Sequence, residues 1–456
     1  MTKPASQPKE YAAEVRGHYE DLPYPYCDPE REGEVFNGAD GLSADAFNHY
    51  GWEGKRDLRD GARILVAGCG TGDMAVSFAE QFLGSKAEIV AIDLSTASIN
   101  LAKARMKKRG LNNVDFHHMS ILDLPTSDLG TFDIIECSGV LHHLPDPNAG
   151  LAALANVLKP DGLMAVMVYA HYGRMSIYLV QELMKKLMTL ETPRARKIDI
   201  AKEFLNLVPS GHWLTVNNSH YLSDLSMPDG SGIYDLFLHS TDRAYTVPQL
   251  YDWVEGAGLT MIDLFSEYTN SSKYNPESYT TSPVLRDIVR DKPLPERQAI
   301  AELMHGNMNK HYFYAAKQPK KVAQLNDDMV ITYGSMQWLF HSFVADFLKT
   351  LATTMPGGQV EGLPRPFEGS PALSIVKTKH VEMLLSLIDG KRTVGEMIAV
   401  NMRSAGSDLP NVARDLAQLY NELSSLGLVY LRHQSIAPYV TGPEIVQRIN
   451  KHLGKK

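Results

Sequence analysis

Only three cysteines occur in 456 residues, Cys27, Cys69 and Cys137, far apart and without CxxC spacing. They support neither a zinc knot nor a disulfide scaffold. Free thiols suit a reducing compartment, so a cytoplasmic chain is expected. No run of about eighteen apolar residues occurs, so neither a transmembrane helix nor a membrane partner is expected. Met1 to Glu10 is polar and lacks the apolar core of a secretory signal. Excess positive charge is also missing. Lys and Arg number 45 against 53 Asp and Glu, a formal net charge of −8. That argues against a nucleic-acid coat or a polybasic surface. No repeat of solenoid period is present.

What remains is a globular composition, 44% hydrophobic and 21% charged. The length suits two to four domains at about 100–200 residues each. Residues 1–60 are rich in Tyr, Pro, Gly and acids. Prolines 23, 25 and 29 forbid a continuous helix there. This segment reads as a short helix followed by an aromatic lid carrying Tyr19, Tyr24 and Tyr26.

From about residue 62 the pattern becomes strand, helix, strand. Arg63–Ala67, Glu88–Asp93, Val114–His118, Phe132–Glu136 and Leu163–Tyr169 read as buried parallel strands. Helices are expected over Met74–Leu83, from Ser95 to Arg109, and over Leu151–Leu158. This alternation predicts βαβ units with both sheet faces covered. The sheet domain spans 61–318, with insertions at about 171–245 and 269–310. Two further strands are expected, Thr260–Phe265 and His311–Lys317. Residues 318–328 read as a linker. Residues 330–456 read as a separate, mainly helical domain with helices near 380–389, 393–403 and 410–426, closed by a strand at Leu428–Arg432.

One motif carries chemistry. Gly68-Cys-Gly-Thr-Gly72 joins the first strand to the first helix, and glycines there let the backbone approach a nucleotide-like ligand. Asp93 ends the second strand, where a carboxylate can accept from two ribose hydroxyls. A nicotinamide enzyme would favour glycine at position 73, but the residue is Asp. An acid there repels a pyrophosphate and suits a cationic ligand.

The pattern resembles class I S-adenosylmethionine-dependent methyltransferases. Phe132 to Leu144 resembles that family's fourth-strand motif, and Val157-Leu-Lys-Pro-Asp-Gly162 its turn before strand five. The resemblance implies a doubly wound α/β Rossmann-like fold of seven strands, the last antiparallel. It also implies S-adenosylmethionine as cofactor, with S-adenosylhomocysteine as product. Carried over by position, Gly68, Gly70 and Gly72 underlie the cofactor and Asp93 holds the ribose. Leu94 flanks the adenine, Ser120 and Ile121 border its edge, and Glu136 and Ser138 approach the methionine part. Ser120 stands where the family usually has an acid. His142 and His143 lack an obvious acid or third histidine, and the family commonly has histidine there, so no metal is expected.

The acceptor is less legible. The family's Asn/Asp-Pro-Pro-Tyr motif for adenine or glutamine acceptors is absent, since Glu136 to Gly139 stands in its place. Ser374 to Met397 resembles winged-helix-like peptide-binding domains. With Tyr24-Pro-Tyr26 and Asp242 to Pro248, the whole resembles bacterial protein-lysine methyltransferases. Tyr24, Glu136 and Tyr172 are the candidate catalytic residues. Asp242–Arg243 also reads as a plain surface pair. The expected partner is a protein or peptide substrate, with nucleic acid disfavoured and a homodimer left open. Small-molecule O-, N- or C-methylation and a non-catalytic cofactor-binding scaffold remain the alternatives.

Overall fold

The structure is a computed structural model. It describes residues 17, 20–25, 27–32, 42–189, 191–216, 225–227, 230–239, 241–265, 271–280, 282–333, 337–360, 375–405 and 408–454. Tyr19 and Tyr26 lie outside the described residues.

Five apolar runs pair as β1 (Arg63–Ala67), β2 (Glu88–Asp93), β3 (Asp115–His118), β4 (Phe132–Ser138) and β5 (Leu158–Ala170). A two-residue β6 (Ala244–Tyr245), β7 (Thr260–Phe265) and β8 (Lys310–Ala316) complete the sheet. Its order is β3-β2-β1-β4-β5-β8-β7, with β6 paired to the end of β5. All pairings are parallel except those of β8, which is antiparallel to β5 and β7. The expected seven strands are therefore present with the reversed one in place, and β6 is an addition. Strand order reverses between β1 and β4, and in such sheets ligands bind beyond the carboxyl ends at that point.

Side chains alternate between two cores, as strand period dictates. Leu65, Ala67, Val90, Ile92, Ile135 and Cys137 face one, closed by α4 (Pro147–Val157) and α9 (Val247–Gly256). Ile64, Val66, Ile89, Ala91 and Ile134 face the other. That second core is closed by α1 (Ala44–Gly51), α2 (Asp73–Gln81) and α3 (Thr96–Lys108).

Two expectations change here. β5 begins at Leu158, which pairs with Phe132 across an irregularity, so Lys159 to Gly162 belongs to the strand. Also, α1 is not part of a lid. All eight of its residues are buried, and Phe47 and Tyr50 stack against Tyr314 of β8. Ser43 caps it through Ala46 N–H, a local signal obscured by the surrounding glycines and acids.

The first insertion supplies α5 (Met175–Leu187), α6 (Arg194–Leu207), α7 (Trp213–Val216) and α8 (Ser231–Phe237), with a small core of their own. The second supplies α10 (Pro283–Arg290) and α11 (Leu294–His305).

The C-terminal unit holds β9 (Met329–Thr332), α12 (Gln337–Thr353), α13 (Val381–Leu387), α14 (Val394–Ala405), α15 (Leu409–Ser425), β10 (Tyr430–His433) and α16 (Gly442–His452). β9 pairs antiparallel with β10. Sequence reasoning missed β9 and α16.

The segment read as a linker is pinned rather than loose, since Ala323 N–H donates to His49 O at 3.0 Å. Tyr430 and Tyr439 are buried in the same core as α1 and α2. Tyr439 Oη accepts from Leu58 N–H at 3.0 Å, and Leu431 N–H donates to His49 Nδ1 at 3.1 Å. Burial drops the His49 imidazole to a pKa of about 4, so it accepts this bond as a neutral ring.

Candidate cofactor and acceptor site

The glycine loop leaves β1 at the reversal point. Gly68 and Cys69 N–H both donate to Ile92 O at 2.9 Å, tying the loop to β2. Gly68 and Gly72 adopt φ of 78° and 100°, which side chains disfavour. A Cβ at Gly68 would lie 2.4 Å from Val140 Cγ2, and one at Gly72 would lie 2.7 Å from Ala102 Cβ. Glycine here serves both the turn and close packing against β4 and α3.

Asp93 sits at the end of β2 and braces two neighbours. Its Oδ2 accepts from Gly70 N–H and its Oδ1 from Ser95 N–H, both at 2.8 Å. Burial raises this carboxyl above the ordinary carboxylate range, and those backbone donors pull it back. Each oxygen retains a lone pair for a hydroxyl. Leu94, next along, is half-buried, and its carbonyl accepts from His118 Nε2–H at 2.8 Å.

Ser120 caps the 3-10 turn Ile121–Thr126. Its Oγ accepts from Leu122 N–H, and Asp123 reaches back to Ser120 N–H. The serine is therefore engaged by its own turn, and Ile121 is buried behind it.

Glu136 does not end in solvent. It is 2% exposed, and its Oε1 has no hydrogen-bond partner. Desolvation pushes its carboxyl up to about 7, with the Ser138 hydroxyl opposing. A buried carboxyl at the sheet's ligand edge, lacking a cation, suits a ligand that brings one.

The N-terminal segment crosses this edge. Thr71 Oγ1 donates to Pro25 O at 2.6 Å, and the Glu20 carboxylate accepts from Thr96 and Ala97 N–H at the start of α3. The Tyr24 carbonyl lies against Gly70. Tyr24 thus stands over the loop, Glu136 within β4, and Tyr172 in the 3-10 turn after β5.

Beyond β4 and β5 lies a buried polar cluster that sequence reasoning did not assemble. His142 stacks on Tyr169 with ring centroids 3.9 Å apart, and His143 on His239 at 3.9 Å. Tyr169 Oη donates to Asp235 at 3.3 Å. A third histidine and an acid do therefore accompany His142 and His143, from α8 and the residues just after it. Ligand atoms of His143, Asp235 and His239 lie within 4.8 Å of one another. Metal ligation nonetheless suits these rings poorly. The His143 and His239 rings lie one over the other with a 32° tilt. His239 Nδ1 accepts from Thr241 N–H, which leaves the neutral ring's proton on Nε2.

Asp242 is not a surface partner of Arg243. It is buried and accepts from Arg174 and Gln181 at 2.8 and 2.9 Å and from Tyr178 at 3.3 Å. Burial is the largest influence and opposes its charge, but Arg174, His143 and Gln181 together outweigh it and hold the carboxyl below the usual carboxylate range. The Arg174 guanidinium also lies 3.5 Å over the Tyr169 ring. Desolvation, reinforced by His143, Arg174, His239 and Lys310, keeps His142 well below an ordinary histidine and so neutral. Both of its ring nitrogens are buried without a hydrogen-bond partner. The Asp-x₃-His spacing of Asp235 to His239 carries no recognisable signal, because a tertiary contact makes the cluster.

A doubly wound sheet with a glycine cradle, an acid ending β2 and an uncompensated carboxyl in β4 defines a site for a ribose-bearing, cationic cofactor. Residues 58–214 match the family model described as a methyltransferase domain. Residues 58–214 thus carry a methyltransferase domain, and the site beside them suits S-adenosylmethionine as its cofactor.

An uncharacterized protein of Synechococcus sp. is 32% identical over 260 residues, 56% of this chain and 60% of that protein. A ubiquinone biosynthesis O-methyltransferase of Xanthomonas axonopodis is 28% identical over 204 residues, 45% of this chain and 65% of that enzyme. The matched regions thus span less than two thirds of either relative. In fold, PKMT2 from Rickettsia typhi aligns with a TM-score of 0.59 at 17% identity, covering 86% of this chain and 75% of that one. Residues 1–328 alone are too few for that coverage, so the shared fold reaches into the C-terminal unit. PKMT2 has also been solved with AdoHcy.

Proposed function

We propose that the chain transfers the methyl group of S-adenosylmethionine to a protein or peptide side chain, a lysine amine in particular. The observation that carries this reading is the fixed seating of the helical C-terminal unit on the cofactor-bearing sheet. PKMT2 shares this fold, and the sequence resemblance to protein-lysine methyltransferases supports the same acceptor. A helical unit with a two-stranded β9–β10 sheet suits the winged-helix-like, peptide-holding role, in which a peptide adds along a strand edge.

The cofactor supplies a methyl group on a sulfonium, already an activated leaving group. The chain supplies position, dryness and a path for a proton. Gly68, Gly70 and Gly72 let the backbone approach, Asp93 accepts from the ribose, and Leu94, Ser120 and Ile121 border the adenine. Glu136 and Ser138 meet the methionine end, where the carboxylate balances the amino group. An acceptor lysine must shed a proton, because its ordinary pKa is about 10.4. Tyr24 and Tyr172 border the acceptor's path. Neutral His142 offers unengaged ring nitrogens beyond β4.

A second reading has its own support. The histidine cluster is enclosed, and relatives over this domain include ubiquinone biosynthesis O-methyltransferases. Neutral histidines beside the sheet's ligand edge would suit a small hydroxyl-bearing acceptor, whose proton they could accept.

The test is transfer of labelled methyl from S-adenosylmethionine into a host extract, separated into protein, RNA and small molecules, with Asp93→Ala as control. Label in protein supports the proposal. Label confined to small molecules transfers the conclusion to the second reading. Cofactor binding without label in any fraction would favour a scaffold.

A further inference from the structure

The glycine loop is tied to the last helix of the chain by a continuous row of charged side chains. Arg105, on α3, donates to Thr71 O at 2.8 Å and pairs with Asp73 at 2.7 Å, both in the loop or the first turn after it. The same guanidinium pairs with Glu32 of the N-terminal segment, as does that of Arg109. Arg109 reaches Glu80 of α2 at 3.4 Å, and Glu80 pairs with Arg448 of α16. Arg448 also donates to Arg109 O at 3.1 Å, at the carboxyl end of α3.

Three cations and three acids thus alternate from Arg448 to Asp73. Glu80, Arg109, Glu32 and Arg105 have side chains at most 5% exposed, whereas Arg448 is 31% exposed. Asp73, at the other end of the row, is 36% exposed, so both ends reach solvent and the four charges between them do not. Buried charges of this kind hold their places only while each has its partner. If Arg448 leaves, Glu80 retains Arg109 alone. Arg109 is then drawn between Glu80 and Glu32, and Glu32 holds residues 27–32 against the loop together with the Lys108–Glu30 pair.

We propose that Arg448 is a positioning residue for the cofactor, and that docking of α16 and the seating of residues 27–32 against the glycine loop are one coupled event. Arg448 touches no part of the cofactor cradle. It acts through Glu80, Arg109, Glu32 and Arg105. Coupling between sites is reciprocal, so cofactor binding must also tighten α16 on the sheet domain. The C-terminal unit would in this way report its state to the methyl-donor site. This inference rests on the cofactor's identity and not on the acceptor.

Two measurements on the full chain test it, with S-adenosylhomocysteine as the probe. In Arg448→Ala, calorimetry is expected to show affinity weakened about 5- to 20-fold, within the usual range of coupling between sites. Arg448→Lys, which keeps the charge but not the second donor, is expected to recover part of the loss. In the wild-type chain, saturating S-adenosylhomocysteine is expected to slow hydrogen exchange in residues 442–452. A merely structural Arg448 would lower Tm in the alanine variant while leaving affinity unchanged and exchange in α16 insensitive to ligand. Either of those two results overturns the coupling. Failure of the wild-type chain to bind S-adenosylhomocysteine would overturn the cofactor assignment itself, and the coupling with it.

Discussion

The ligand edge of the sheet and the seam beneath the C-terminal unit are built from opposite materials. The edge uses the least side chain available: three glycines, short acids and backbone N–H groups within about thirty residues. The seam uses long side chains, Tyr430, Tyr439, Arg59 and Arg448, whose partners lie hundreds of residues away. Changes at the edge should therefore act first on cofactor affinity, and changes at the seam first on stability. Arg448 is the expected exception, because the charged row joins the two regions.

The largest effect is expected in the seam. Tyr430 is about 1% exposed, packs on His49 at 5.8 Å, and belongs to the core under the sheet. Tyr430→Ala should lower unfolding free energy by about 3–5 kcal/mol, the range for truncating a buried aromatic. Urea denaturation measures this. A loss below about 1 kcal/mol would mean that the C-terminal unit is only loosely seated. Removal of residues 329–456 should accordingly expose the core around α1 and leave a poorly soluble remnant.

Next comes Glu136. Its carboxyl sits at about 7, above the ordinary 4.5, because burial favours the neutral form. The sign follows from linkage: its contribution to stability is complete below pH 4.5 and is lost as pH rises through about 7. Glu136→Gln should flatten that slope in the ligand-free chain, a gain on the order of 2 kcal/mol at pH 8. Binding of a cationic cofactor should release a proton near pH 6 in the wild type and none in the variant. Calorimetry in buffers of different ionisation enthalpy reads this directly, and equal proton release in both would remove Glu136 from the methionine end.

Gly68→Ala probes the edge from the side of shape. Its φ of 78° and the approach of Val140 should together weaken cofactor binding by about 1–2 kcal/mol or more. The same strain and clash should also lower Tm. A variant with normal affinity would show that the loop does not underlie the ligand. The smallest effect is expected for Tyr439→Phe, which removes the acceptor for Leu58 N–H at a loss of about 1 kcal/mol of stability. Cofactor affinity should not change.

The same contrast explains how much the sequence revealed. The five parallel strands, the helix after the glycine loop and the acid ending β2 all follow from short-range patterns, whereas the reversal of β8 was implied only by the family resemblance. α1 was hidden by a flank of glycines and acids that resembles a loop. α16 follows a strand that looked like a natural end, although Thr441 and Glu444 form a capping box and Pro443 sits in the first turn. That local signal could have found it. No comparable signal exists for Glu80 meeting Arg448, or for Asp235 and His239 meeting His143. Such pairs become visible only when distant segments share a core. In the candidate site, the glycine loop and Asp93 were legible as a turn and a strand end, and the histidine cluster was not. Glu136 was picked out by its position, but its burial was not, because nothing beside it in sequence shows that the strand end is covered.

The central claim is that S-adenosylmethionine binds at the end of β1 and β2, held through Asp93. The most direct test is calorimetric titration of wild-type and Asp93→Ala protein with S-adenosylhomocysteine, with Tm measured in parallel. Loss of charge-assisted hydrogen bonds to the ribose should weaken binding by about 1–3 kcal/mol in the variant. Equal affinity in the two proteins would contradict the placement of the cofactor.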